Sequence, residues 1–204
     1  MGRFCFKGIY ANHIHLLFIT FKLLDKQSKF VTWYALRTYN CQEIKISDFL
    51  TDRQMVHFIP MTYVERKNRE GKVKRVLVPV VHNLIFLRKD KSQKEILSIL
   101  GECMTPISVL RKEGSGDCYE IPDSQMVEFR ALCDPDFEDK QFITHDEADA
   151  KPGKEVRIVH GQFAGMTGKL HRVNNNYFFI KTLAGVGVMI RISRWYCKVI
   201  DSKL

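Results

Sequence analysis

Residues 65–75 hold six cations, Arg66, Lys67, Arg69, Lys72, Lys74 and Arg75, against two acids, Glu65 and Glu70. They lie between Val64 and Val76 and turn near Gly71, which predicts a polar hairpin. Such a hairpin is either a solvated arm or a surface for a phosphate backbone. If four of its charges met phosphates, log affinity would fall with log salt at a slope of about −3 to −4. Arg37, Lys45 and Arg53 could form a second basic face. Specific reading of a nucleic acid would need base-edge or stacking contacts, which the spacing does not locate.

Other chemistry is thinly represented. The six cysteines, at 5, 41, 103, 118, 133 and 197, form no CxxC knuckle and no dense disulfide framework. They read as reduced thiols, and so point to the cytoplasm. His13 and His15 could be a ligand pair, but no third ligand is near in sequence. Asp134 and Asp136 sit in an acidic stretch and read as solvated rather than cation-binding. There is no nucleophile elbow, phosphate loop, metal spacing or paired carboxylate in a catalytic context. The sequence therefore predicts no enzyme, no cofactor and no metal.

The chain has 204 residues and a net charge of +9, with 45 % apolar and 27 % charged residues. That composition excludes a wholly disordered or collagen-like chain and allows one or two domains. The charge is uneven: residues 151–204 carry ten basic residues and two acids, leaving +1 for residues 1–150. The basic end favours an anionic partner. The longest apolar stretch, His15 to Leu24, is too short to span a membrane, which needs about twenty residues. Residues 1–30 read as a poorly specified leader: an appended segment, an early start or a docking helix.

The elements that would position these residues follow from patterning. Val31–Tyr39 is β-rich and aromatic, a strand. Asn40 is placed to cap a helix with Ile44, Ile46, Phe49 and Leu50 as its apolar positions. Met55–Val64 is extended. Val76–Leu87 is almost continuously apolar, which predicts one buried central strand. Ser92 opens a short helix with Ile96, Leu97, Ile99 and Leu100 inward. Ile107–Leu110 is a strand, and Pro122, Asp123 and Ser124 start a helix carrying Met126, Val127, Phe129 and Leu132. The mixture without βαβ regularity predicts an antiparallel α+β sandwich over residues 31–133. An acidic linker over 134–152, or alternatively a long acidic loop, leads to residues 153–204. There, short strands with turns at Gly161, Gly165, Gly168 and Asn174–Asn176 predict a small SH3-like β-barrel.

The stretch from Gly153 to Val173, with Gly161, Phe163, Gly165 and Gly168, resembles a KOW motif. The glycines allow turns that a Cβ would oppose, and Phe163 can plug the barrel end. Upstream, Trp33, Tyr34, Ala35 and Leu36 resemble the opening strand of the NusG N-terminal (NGN) domain. Val78 to Leu87 resembles its central strand, and Ile121 to Val127 the start of its final helix. In order and spacing, residues 31–201 thus resemble the NusG family, and more closely its specialised RfaH and UpxY-type antiterminators.

The resemblance implies a transcription elongation or antitermination factor that bridges the RNA polymerase cleft and suppresses pausing on one or few long operons. The β′ clamp helices would meet an apolar depression at Arg37, Tyr39, Val81, Leu84 and Phe86. The β subunit would be touched by Ser92, Gln93 and Lys94. Non-template DNA or nascent RNA would meet the basic residues. The sequence departs from the family pattern at His82, where proline is usual, and at Leu84, where an aromatic is usual. On the KOW partner face Leu183 remains but Ala184 has lost the usual ring, which argues against Rho and leaves ribosomal protein S10 open. No membrane partner is implied. The competing reading is a ribosome-associated RNA-binding protein that uses the basic KOW barrel alone.

Overall fold

Strand β1 (Thr32–Thr38) is the hub of the first half. Its run from Trp33 to Leu36 is almost wholly buried, because both of its faces are covered. This computed structural model describes residues 31–67, 71–112 and 114–200. The leader, Arg69 and Glu70 lie outside the described residues.

β1 pairs antiparallel with β5 (Leu84–Arg88), from Trp33 opposite Arg88 to Arg37 opposite Leu84. Its other edge holds β6 (Ile107–Val109) and β7 (Glu120–Pro122), and β2 (His57–Phe58) extends the sheet beyond β5. The two-residue side-chain period sends Tyr34, Leu36, Ile85 and Leu87 to one face. Helices α1 (Glu43–Asp52) and α2 (Gln93–Gly101) cover that face with Ile46, Leu50, Ile96 and Leu100. Trp33, Ala35 and Phe86 point the other way, toward α3 (Asp123–Leu132). The Phe129 ring of α3 lies 5.5 Å from that of Phe86, and Trp33 Nε1 donates to Asp123 Oδ1 at 2.6 Å.

Two local expectations need correction. Asn40 does not cap α1. Asn40 and Cys41 adopt left-handed backbone (φ 57° and 53°), and the residue before the helix is Gln42, with no side-chain cap. Nor is Val76–Leu87 one buried strand. It divides into β4 (Val73–Pro79) and β5, parted by a turn whose Asn83 has φ 64°. Pro79 offers no N–H to a central ladder, and β4 pairs instead with β3 (Met61–Lys67) in a separate two-stranded arm. By contrast α2 starts as its sequence predicts: the Ser92 hydroxyl and the Glu95 carboxylate form a reciprocal capping box.

The rest of the chain builds a second antiparallel sheet from six strands. They are β8 (Lys140–Thr144), β9 (Lys154–Ile158), β10 (Thr167–Val173), β11 (Asn176–Leu183), β12 (Val186–Ile192) and β13 (Cys197–Val199). Their order is β13-β9-β10-β11-β12-β8, an open path whose end strands do not pair. Residues 140–150, which the sequence assigns to the acidic stretch, form β8 and the short helix α4 (His145–Ala150). β8 fits along β12 because Gly187 has no Cβ; one built there would lie 2.7 Å from Ile143 Cγ1. Asn174 and Asn175 make the left-handed turn between β10 and β11.

The architecture is α+β with antiparallel sheets, and from Thr32 onward the described chain forms one compact unit. The second sheet meets α3 through Lys181, whose Nζ donates to Glu128 Oε2 at 2.6 Å and to the Thr167 carbonyl at 2.9 Å. No helix among the described residues is long and apolar enough to cross a membrane.

At the edge of β1, Glu120 accepts from Lys89 (2.6 Å), Thr32 and Tyr34. The Lys89 ammonium chiefly holds the Glu120 carboxyl below its ordinary range. A depressed carboxyl stabilises the fold above its unfolded pKa of about 4.3 and loses that contribution as pH falls through the folded value. Glu120→Gln should therefore cost about 1 kcal/mol at pH 7, and urea unfolding should show the difference shrink steadily as pH falls below about 4.3. Phe129→Ala removes a fully buried ring and should cost about 3–5 kcal/mol in the same measurement.

Candidate functional site

The residues expected to bind the clamp helices converge on one corner but differ in access. Leu84 faces Arg37 across the β1–β5 ladder, and Arg37 faces Ser108 on β6. Tyr39 shares a 3.2 Å hydrogen bond with the Ser108 hydroxyl and is 42 % exposed. Arg37 is exposed and Val81 half-buried. Leu84 is buried, and Phe86 is fully buried between Phe58 and Phe129. In this arrangement Arg37, Tyr39 and Val81 can be touched from outside, whereas Leu84 and Phe86, expected to line the depression, belong to the core.

Ser92, Gln93 and Lys94 lie at the start of α2, all exposed. Ser92 is committed to its capping box, and Gln93 Oε1 accepts weakly from Tyr34 (3.4 Å). Lys94 is the exposed charge of the three.

The basic hairpin is the β3–β4 arm. Its register sets Arg66 opposite Lys74 and Glu65 opposite Arg75. Directly opposed like charges destabilise a strand pair. Arg66 and Lys74 thus form a doubly charged spot that an anion would relieve. Arg66, Lys67 and Lys74 are exposed and make no ion pair among the described residues. Arg75 is engaged: its guanidinium stacks over Tyr63 at 4.1 Å and reaches Glu138 at 3.3 Å. Lys72 is exposed on the same arm. Of the second basic face, Arg37 and Lys45 are exposed, whereas Arg53 is paired with Glu102 and lies over Phe49.

In the second sheet, Gly161 and Gly165 have φ of 85° and 98°, as the turn between β9 and β10 requires. Gly168 is held by close approach instead, since a Cβ there would sit 2.5 Å from the Ile180 carbonyl oxygen. Phe163 packs edge-on against Phe137, ring centres 5.2 Å apart. Leu183 and Ala184 line a cleft of about 350 Å³ with Leu110, Arg111, Tyr119, Gln125 and His145. Ala184 there has φ 47°, strained for a residue with a Cβ.

Sequence reasoning missed two features. The cleft joins residues some seventy positions apart, so no local pattern announced it. Trp195 belongs to a single 3₁₀ turn (Arg194–Tyr196), where it is 87 % exposed. Its flanking Arg194 and Tyr196 were the available signal.

Residues 31–130 match the family model of NusG, described as transcription termination factor nusG. No curated protein matches the chain. The matched span is just under half of the chain and takes in both layers of the first sheet and most of α3. It supports the NusG family, whose members are transcription elongation and termination factors rather than enzymes and bind RNA polymerase. The second sheet lies beyond the matched residues.

If the β3–β4 arm meets phosphates, the double variant Arg66→Thr, Lys74→Thr should flatten the slope of log affinity for DNA against log salt by about two units. Removing the opposed charges should leave thermal stability equal or slightly higher. Fluorescence anisotropy across a salt series, with a melting curve, checks both.

Proposed function

We propose that the chain is a specialised elongation and antitermination factor that lies across the RNA polymerase cleft and suppresses pausing or termination on one or few long operons. The match of residues 31–130 to the NusG family supports its general part, an elongation or termination factor that binds polymerase, and the specialised part rests on the resemblance in sequence. The exposed corner of Arg37, Tyr39 and Val81 would take the β′ clamp helices, with Leu84 and Phe86 in the core behind it. Lys94, beside Ser92 and Gln93, would touch the β subunit. The corner and α2 arise from different sides of the same sheet, as bridging two subunits requires. Arg66, Lys67 and Lys74 would follow the displaced DNA strand or nascent RNA.

In this reading residues 153–204 form a KOW module of SH3-like type, and the cytoplasm is its place of action. Leu183 and Ala184 would be its partner face for ribosomal protein S10. That face now lines the cleft beside Tyr119 and Arg111, so an S10-sized partner would reach it only if the second sheet moved away from α3. Ala184 presents no ring, and Rho is not expected to bind.

One observation favours the second reading, an RNA-binding KOW protein of the ribosome. Trp195 is a bare stacking surface in a segment of net charge +8. The two readings separate on binding partner. With purified polymerase elongation complexes, the chain should shorten the dwell at pause sites. Arg37→Glu combined with Tyr39→Ala should weaken that binding about tenfold or more, as loss of an aromatic anchor does. Trp195→Ala should leave it unchanged. Binding to ribosomal RNA that depends on Trp195, without pause suppression, would favour the second reading.

A further inference from the structure

The turn before β5 brings His82 beside Cys41 and Glu43, which lie some forty residues earlier in the sequence. Cys41, Glu43 and His82 offer a thiol sulfur, a carboxylate oxygen and an imidazole nitrogen, all within 4.8 Å of one another. The corner is built rather than incidental. Cys41 N donates to Asn83 Oδ1 at 3.1 Å, and Thr38 N to the Asn83 carbonyl at 3.1 Å. Asn83 N donates in turn to Glu43 Oε1. Left-handed backbone at Asn40, Cys41 and Asn83 fixes both turns in this shape.

Glu43 supplies a second, separate indication. Its side chain is 98 % buried (residue exposure 2 %), yet no lysine or arginine pairs with it among the described residues. Its single hydrogen bond there is to the Asn83 amide. One carboxylate oxygen accepts from the Asn83 amide, and the other is not among the buried oxygens left without a partner, so it can still be reached by an ion. The two flexible ligands, Cys41 and His82, are exposed and stand at the mouth, free to close on an ion.

We propose that Cys41, Glu43 and His82 bind a zinc ion, with water in the fourth position. A thiolate excludes calcium and magnesium, which take oxygen ligands, and the mixed S, N and O set suits a borderline-soft divalent ion. Tetrahedral zinc would hold its ligand atoms about 3.3–3.8 Å apart, given bonds of about 2.0–2.3 Å. The ligand atoms, within 4.8 Å of one another, would close to that distance if the exposed Cys41 and His82 side chains rotated inward. The ion would pin the end of β1 to the β4–β5 turn, next to Arg37 and Tyr39. The proposal does not depend on the polymerase reading, since it rests on ligand geometry alone.

Cobalt(II) titration of the full chain under reductant tests it. Among the other described thiols Cys118, Cys133 and Cys197 are buried, burial pushes the Cys133 thiol far up, and Cys103 is half-buried; Cys5→Ser and Cys103→Ser are the controls that should keep the charge-transfer band. The wild type should take up one equivalent with thiolate-to-cobalt charge transfer and tetrahedral d–d absorption, and zinc should displace it. Cys41→Ser should abolish the charge-transfer band, and His82→Asn should weaken binding by more than about tenfold, since even outer-shell losses cost that much. Both positions are exposed, so circular dichroism should show intact folds. Zinc should also shield Cys41 from alkylation in the wild type. A wild type without the charge-transfer band, or unchanged binding in either variant, would overturn the site.

Discussion

The ring contact of Phe86 with Phe129 is the constraint on which the rest depends. It fixes α3 against the outer face of the β1–β5 ladder, and with α3 fixed the opposite side of that helix becomes a platform. Lys181 reaches Glu128 on it, with only 12 % of the lysine side chain exposed, and so ties the second sheet to the first. A charge so shielded tolerates its position because it has both a carboxylate and the Thr167 carbonyl as partners. Take away the aromatic pair and both attachments of α3 lose their reference.

This packing also sorts which residues can meet another molecule. With α3 in place, Leu84 and Phe86 belong to the interior, and the corner above them offers Arg37, Tyr39 and Val81. The β3–β4 arm pairs with no other strand, and its contact with the core is at its base through Met61. Its Arg66 and Lys74 can therefore stay opposed, a local cost that a phosphate partner would offset. The Leu183–Ala184 turn lies at the seam with Tyr119 and Arg111. The surfaces open for recognition thus include the corner at the end of β1 and the separate β3–β4 arm, while the Leu183–Ala184 turn is engaged at the seam.

Where the chain's patterns were local, the sequence was readable. Trp33–Leu36 made a strand, Ser92 capped its helix, and Gly161, Gly165, Asn174 and Asn175 turned where expected, whereas Gly168 and Asn176 lie within strands. The α+β class and the order of elements followed. The failures were of two kinds. Val76–Leu87 reads as one apolar run, because hydrophobicity does not record that Pro79 lacks a donor and that Asn83 turns the chain. Residues 140–150 read as acidic linker, because the pairing of β8 with β12 depends on the missing Cβ at Gly187, over forty residues away. At the candidate site, the basic arm was legible from charge alone. The burial of Phe86 and the meeting of Cys41 with His82 were not, since both are set by which strands lie side by side.

Whether this chain travels with RNA polymerase is read by mapping a tagged copy on the genome of its own cell, alongside polymerase. The expected result is enrichment that coincides with polymerase along one or a few long operons. A distribution unrelated to polymerase, with the protein recovered on ribosomes instead, would contradict it.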